Sequence, residues 1–285
     1  MGQAMAPRLL EAGYPLTVYN RTPEKAQALV EQGATRAESL PAMAAMCDIV
    51  CTILTDDAAV EQVYNSDSGL LAGEVAGTLF VEMSTIRPDT VRRVAALAAE
   101  RGAALVDSPM SGTVAPARNG QLLALVGGAA ADVERARPVL EVMCRRVAHM
   151  GPTGSGTTMK LVLNMPMAVY WQGLAESLAM GVQSGLDLEQ MLALIADSPA
   201  CLGALPMKIP ALLGEAGEVA FDVTGVRKDL LAMVATGQSV GVPMPAGSAA
   251  LVSFAAATAA GWGERDLTDL IAYYREMIQR SGGAG

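Results

Sequence analysis

At 285 residues, with 52% hydrophobic and 17% charged positions, the chain can bury two domain-sized cores and lacks the polar, charge-rich composition of a disordered protein. Its 20 basic against 29 acidic residues leave a net charge of −9, which argues against broad attachment to nucleic acid or to an anionic membrane; any anionic ligand needs a local site. Cys47, Cys51, Cys144, Cys201 and the single His149 do not make a structural zinc set or a disulfide framework, so we expect no metal, a reducing cytoplasmic setting and cysteines packed as small core hydrophobes.

The chain opens on a helical pattern, Met1 to Gly13, apolar on one face and closed by glycine. A strand is predicted at Tyr14 to Tyr19. Thr22-Pro23 then offers an N-cap and a first-turn proline for a helix that Gly33 ends. Further strands are predicted at Ile49 to Leu54, Thr78 to Glu82, Ala104 to Asp107 and Leu122 to Val126, with a helix from Pro88 to Arg101 stopped by Gly102. This alternation predicts βαβ units and therefore a doubly wound, mainly parallel sheet covered on both faces.

After about residue 150 the strand-like runs vanish. Helices are predicted at Thr157 to Ser184, 187–197, 225–240, 246–260 and 266–280, with Asp187 and Thr268 as starts for two of them. The uncharged stretch Leu230 to Gly263 exceeds the roughly 20 residues that span a bilayer. Gly241-Val242-Pro243-Met244-Pro245 cuts it in two, so we read it as buried helix rather than membrane span, and we see no secretory leader at the start of the chain. The expected division is an α/β domain at 1–152 and an all-helical domain at 153–285 that opens with the long helix.

A doubly wound nucleotide-binding fold begins with a strand, a glycine-rich turn and a helix whose first N–H groups face a pyrophosphate. In this sequence Gly2, preceded by Met1, stands where the third glycine of G-x-G-x-x-G would stand, while the first strand and the first two glycines are missing. We therefore expect Met1 to be an internal methionine of a longer protein. Where an NAD-binding chain places a ribose-binding carboxylate, this one has Asn20-Arg21-Thr22. A neutral residue followed by arginine suits a 2′-phosphate, although the same tripeptide is also an ordinary turn into a helix.

Five segments, in order, resemble the β-hydroxyacid dehydrogenase family, whose members include 3-hydroxyisobutyrate dehydrogenase, tartronate semialdehyde reductase and glyoxylate/succinic semialdehyde reductase. Met1-Gly2-x-x-Met5-Ala6-x-x-Leu9 matches the tail of its glycine motif, and Glu82-Met83-Ser84-Thr85-Ile86-x-Pro88 is similar to its cofactor-contacting Asp-x-Ser-Thr-Ile-x-Pro. Asp107-Ser108-Pro109-Met110-Ser111-Gly112-Thr113 resembles its substrate-binding Asp-Ala-Pro-Val-Ser-Gly-Gly, with threonine for the last glycine as in the glyoxylate-reducing branch. Gly151-Pro152-x-Gly154-Ser155-Gly156-x-x-x-Lys160-x-x-x-Asn164 matches the segment of the catalytic lysine and its partner asparagine, and Lys228-Asp229-Leu230 resembles a late Lys-Asp-Leu.

The resemblance implies a Rossmann-type domain followed by an all-α domain, and an oxidoreductase that moves a hydride between a nicotinamide cofactor and a small hydroxy acid, aldehyde acid or keto acid. It implies Lys160 and Asn164 as catalytic residues, Ser111, Gly112 and Thr113 at the substrate carboxylate, and Met1, Gly2, Asn20, Arg21, Thr22, Leu54, Thr85 and Lys228 at the cofactor. Arg21 favours NADP, with NAD as the other option. A homodimer or homotetramer is expected, because Ala-rich helical faces permit close packing and the second half is too apolar for a lone bundle.

Each residue also has a blander reading. A lone lysine is usually solvated surface, Asn164 alone is a packing or capping residue, Ser111-Gly112 is a common turn, Thr85 after a strand is an N-cap, and Lys228 can simply pair with Asp229. His149 is read as structural. An imine reductase on the same fold is one alternative, disfavoured by Lys160 and the Ser111-Gly112 segment. A non-catalytic cofactor-binding or dimerising relative is another, favoured by the missing glycine turn and disfavoured by Lys160, Asn164, Thr85 and Lys228.

Overall fold

The computed structural model describes residues 1–282 and divides into two compact units, Met1–Leu161 and Val162–Gly285. In the first unit the elements run α1 (Gly2–Glu11), β1 (Thr17–Val18), α2 (Glu24–Glu31), β2 (Thr35–Arg36), α3 (Leu40–Met46), β3 (Ile49–Thr52), α4 (Asp57–Asn65) and β4 (Leu79–Glu82). They continue with α5 (Pro88–Glu100), β5 (Ala104–Asp107), β6 (Met110–Ser111), α6 (Val114–Arg118), β7 (Leu122–Gly127), α7 (Ala130–Met143), β8 (Cys144–Gly151) and the first turns of α8 (Ser155–Gln183).

The apolar run of β4 explains why this unit has layers. Leu79 and Val81 enter one core with Met5 and Leu9 of α1 and Leu140 of α7, while Phe80 enters the other with Val60 and Tyr64 of α4 and Val91 of α5. Successive side chains of a strand point to opposite faces, so a strand buried throughout needs helices on both sides. β3, β4 and β5 pair in parallel, as expected of a doubly wound sheet. β7 is antiparallel to β5 and β6 and parallel to β8.

The sheet is in two pieces. β1 and β2 form a parallel pair of their own, and β3 is an edge of the larger sheet; no described strand joins them. The strand predicted at Tyr14 to Tyr19 is accordingly reduced to Thr17–Val18, since an extended segment paired on one side offers few ladder bonds. β2, β6 and β8 were not predicted, because each is short or polar and owes its extended form to a partner distant in sequence. Thr22 does not cap α2, which starts behind Pro23 without a side-chain cap; Asn20 Oδ1 instead accepts the Thr22 N–H at 2.9 Å and makes the turn. Only Cys144 is a core cysteine; Cys51 is exposed on the edge strand, and Cys47 and Cys201 are half-buried.

The second unit contains the rest of α8 followed by α9 (Leu188–Ala196), α10 (Leu205–Leu212), α11 (Val223–Ser239), α12 (Pro245–Ala257) and α13 (Leu270–Gly282). Asp187 caps α9 through the Gln190 N–H, and Asp222 caps α11. The predicted break at Gly241 to Pro245 separates α11 from α12. No described helix is long and apolar enough to cross a membrane. Thr268 is not a helix start: Asp266 holds that turn and accepts the Thr268 hydroxyl at 2.8 Å. α10 was not among the expected helices; its Pro206 occupies the first turn, where no N–H is required.

Candidate active site

Of the residues predicted at the cofactor, Met1 and Gly2 open α1, three strand-to-helix turns of the first unit carry Asn20-Arg21-Thr22, Leu54 and Thr85, and Lys228 lies on α11 of the second unit. Met1 precedes α1 and offers it no side-chain cap; its carbonyl accepts the Ala4 N–H at 2.8 Å. A Cβ on Gly2 would lie 3.2 Å from Ile53 Cγ2, so glycine lets α1 start close against the end of β3. Gln3 Nε2 donates to the Lys25 carbonyl at 2.6 Å and ties α1 to the first turn of α2, the helix that follows the exposed Asn20-Arg21-Thr22 turn. Leu54, next after Ile53, donates its N–H to Ser84 Oγ at 2.7 Å. Gly2, Leu54 and the Ser84-Thr85 turn thus follow one another along a rim, with the 20–22 turn leading into the helix tied to α1. Thr85 is not a cap, since α5 starts after Arg87.

Beneath this rim lies Glu82, 1% exposed, which sequence reasoning quoted but gave no role. Its Oε1 accepts the Ser84 N–H at 2.7 Å and its Oε2 accepts the Thr52 hydroxyl at 2.6 Å, which is itself 2.7 Å from the Tyr64 hydroxyl. Burial pushes the Glu82 carboxyl above the usual glutamate range, and the bonds from Ser84 and Thr52 oppose that shift. The same burial holds the Tyr64 phenol well above its ordinary value.

The predicted substrate segment leaves the end of β5. Ser111 ends β6 and is half-buried; Gly112 follows with φ of 135°, and a Cβ there would sit 2.6 Å from Leu122 Cδ2. Backbone conformation and space both demand glycine at this turn. Thr113 precedes α6 without using its side chain as a cap. Lys160, in the second turn of α8, is 9% exposed, which separates it from the solvated lysine of the bland reading. His149, read as structural, has its Nε2 3.0 Å from the carbonyls of Gly128 and Gly151.

Asn164 lies one helical turn beyond Lys160 on α8 and is 8% exposed. Within the second unit its Nδ2 donates to Asp229 Oδ2 at 2.9 Å, and Lys228 Nζ stands 2.6 Å from Asp229 Oδ1. Asp229, 2% exposed, therefore brings Asn164 and Lys228 together. The signal that could have marked Glu82, Asp107 and Asp229 is shared: each is a carboxylate next to an apolar run, where a charge is costly without partners.

Two family profiles match the chain. One, the NAD binding domain of 6-phosphogluconate dehydrogenase, covers residues 1–151; the other, the NAD-binding domain of NADP-dependent 3-hydroxyisobutyrate dehydrogenase, covers residues 154–274. A 3-hydroxyisobutyrate dehydrogenase of Pseudomonas aeruginosa is 38% identical, with 88% of this chain and 86% of the relative aligned. The chain belongs to the β-hydroxyacid dehydrogenase family. Among other β-hydroxyacid dehydrogenases, an NAD-dependent L-serine dehydrogenase of P. aeruginosa is 36% identical over 94% of this chain and 92% of its own. The 3-hydroxyisobutyrate dehydrogenase of Mycobacterium tuberculosis, solved with L-serine, superposes with a TM-score of 0.85 at 29% identity over 96% of both chains. As a β-hydroxyacid dehydrogenase the protein is an oxidoreductase that uses a nicotinamide cofactor, and the close approach of Gly2 to the end of β3, which leaves little room for a side chain, fits such a group.

Proposed function

We propose that the protein is an NADP-preferring dehydrogenase that interconverts a small hydroxy acid and the corresponding aldehyde acid or keto acid, with Lys160 as the proton donor and acceptor. The observation that carries this reading is Lys160 itself, a lysine 9% exposed on α8, one helical turn before an asparagine held by a buried aspartate. The bound cofactor supplies or takes the hydride. Lys160 as ammonium donates a proton to the alkoxide oxygen formed in reduction; as free amine it accepts the alcohol proton in oxidation. Asn164, its amide fixed by Asp229, orients the lysine or a substrate oxygen.

Ser111, Gly112 and Thr113 hold the substrate carboxylate through a hydroxyl and backbone N–H groups, which selects small acids with the reacting carbon near the carboxylate. Met1, Gly2, Leu54 and Thr85 hold the cofactor, Arg21 with Asn20 and Thr22 takes its 2′-phosphate, and Lys228 adds a further cationic contact. The names of the relatives support 3-hydroxyisobutyrate and L-serine as first substrates to try. We assign the working form to a homodimer or homotetramer.

Lys160→Ala tests the reading. Turnover of 3-hydroxyisobutyrate or L-serine is expected to fall by about 10²- to 10⁴-fold, the usual reach of a positioned acid or base, with NADPH affinity unchanged. A variant that turns over like the parent removes Lys160 from the proton transfer.

A further inference from the structure

Asp107 ends β5 and is completely buried. A carboxylate in that position is costly unless it is hydrogen-bonded. Its Oδ1 accepts the Gly154 N–H at 2.7 Å and its Oδ2 accepts the Thr157 N–H at 2.6 Å, groups that belong to the approach and first turn of α8. A helix leaves its first N–H groups without internal partners and carries partial positive charge at that end. Here a carboxylate from another strand takes two of them, one with each oxygen.

Asp107 also stands at the root of the substrate segment. The chain continues from it through Ser108, whose N–H donates to the Glu82 carbonyl at 2.7 Å, to Ser111 and Gly112. The surrounding packing leaves little freedom. A Cβ on Gly127 would lie 2.4 Å from Asp107 Oδ1, and one on Gly156 would lie 2.1 Å from the Leu125 carbonyl, so β7 and the start of α8 are in backbone contact around the carboxylate. Asp107 thus joins, through two short bonds, the strand end that leads to Ser111-Gly112 and the helix turn that precedes Lys160.

We propose that Asp107 is a positioning residue for the reaction: its carboxylate sets where Lys160 stands relative to the Ser111-Gly112 segment by holding the first turn of α8 to the end of β5. It transfers no proton and touches no substrate. Burial raises its pKa, with the Gly154 and Thr157 N–H groups opposing the shift. The inference rests on the reading of Lys160 as proton donor and acceptor. Error of about 1 Å in the placement of a reacting group costs roughly 10²-fold in rate.

The test compares Asp107→Asn with the parent and with Lys160→Ala in the full-length protein. Asparagine keeps the volume and one acceptor but turns an NH2 group toward the other N–H. NADPH affinity is expected to stay within about threefold, kcat for 3-hydroxyisobutyrate or L-serine to fall roughly 10- to 100-fold with a smaller change in KM, and amide hydrogen exchange at residues 154–158 to accelerate. A kcat within twofold of the parent, while Lys160→Ala is inactive, overturns the proposal. If Lys160→Ala is itself active, the lysine reading fails and takes this proposal with it. Should Asp107→Asn fail to bind NADPH, Asp107→Ser, which leaves room for a water between the two N–H groups, carries the same comparison. Loss of folding in both variants makes Asp107 a stability residue and also overturns the proposal.

Discussion

Arg21 shows how much a single side chain has to decide in a protein of net charge −9. The overall field repels an anionic cofactor, so affinity for a 2′-phosphate must come from a local guanidinium, which binds phosphate through parallel charge-assisted hydrogen bonds. Arg21 is exposed in the turn made by Asn20, just before α2. Arg21→Ala is expected to weaken NADPH roughly tenfold or more while leaving NADH nearly unchanged, read by titration of both cofactors. An unchanged NADPH to NADH ratio removes the basis for NADP preference. At this scale the motif positions were legible, because Lys160, Asn164, Ser111-Gly112 and Lys228 sit in short local patterns. The hydrogen bonds of Asp107 and Asp229 were not, because their partners Gly154, Thr157 and Asn164 are distant in sequence.

At the scale of elements, Glu82 joins β4 to β3 through Thr52, reaches Tyr64 of α4 through the same hydroxyl, and braces the Ser84 turn that receives the Leu54 N–H. Its pKa is raised in the folded protein, so between the ordinary glutamate value and the raised one the folded state binds more proton than the unfolded state. Stability therefore falls as pH rises through that interval, and the cost is fully present above it. Glu82→Gln keeps an acceptor for Ser84 and removes the charge. The variant is expected to melt at or above the parent temperature near pH 7.5, with the difference shrinking as pH is lowered toward the ordinary carboxylate range. Thermal melts from pH 5 to 8 decide it: parallel curves for the two proteins would show that Glu82 carries no such cost. The strands that the sequence revealed, β3, β4, β5 and β7, are apolar runs whose pattern is local. β2, β6 and β8 exist because a neighbouring strand offers them a ladder, a condition no window of sequence contains.

For the whole molecule, the composition already implied more apolar surface than one chain needs to bury. Several large apolar side chains of the second unit are exposed, among them Met180, Leu194, Met207 and Val252, each at least 67% exposed. Contacts between copies are the physical use that large exposed apolar groups suggest. Light scattering on the purified protein is expected to give two or four times the chain mass; the mass of a single chain would overturn the assignment to a homodimer or homotetramer. By itself the sequence determined the class of fold, the order of an α/β half and a helical half, the break between α11 and α12, the family, and the residue types of the candidate site. These follow from periodicity, helix caps and short motifs, which act within a few residues. Tertiary structure alone decided that the sheet lies in two pieces, that Thr22, Thr85 and Thr268 are not the N-caps of the helices that follow them, and that Glu82 and Asp107 of the first unit and Asp229 of the second are buried carboxylates with hydrogen-bond donors around them. A carboxylate in an apolar strand is stable only with donors around it, and those donors are brought by folding from elements far along the chain.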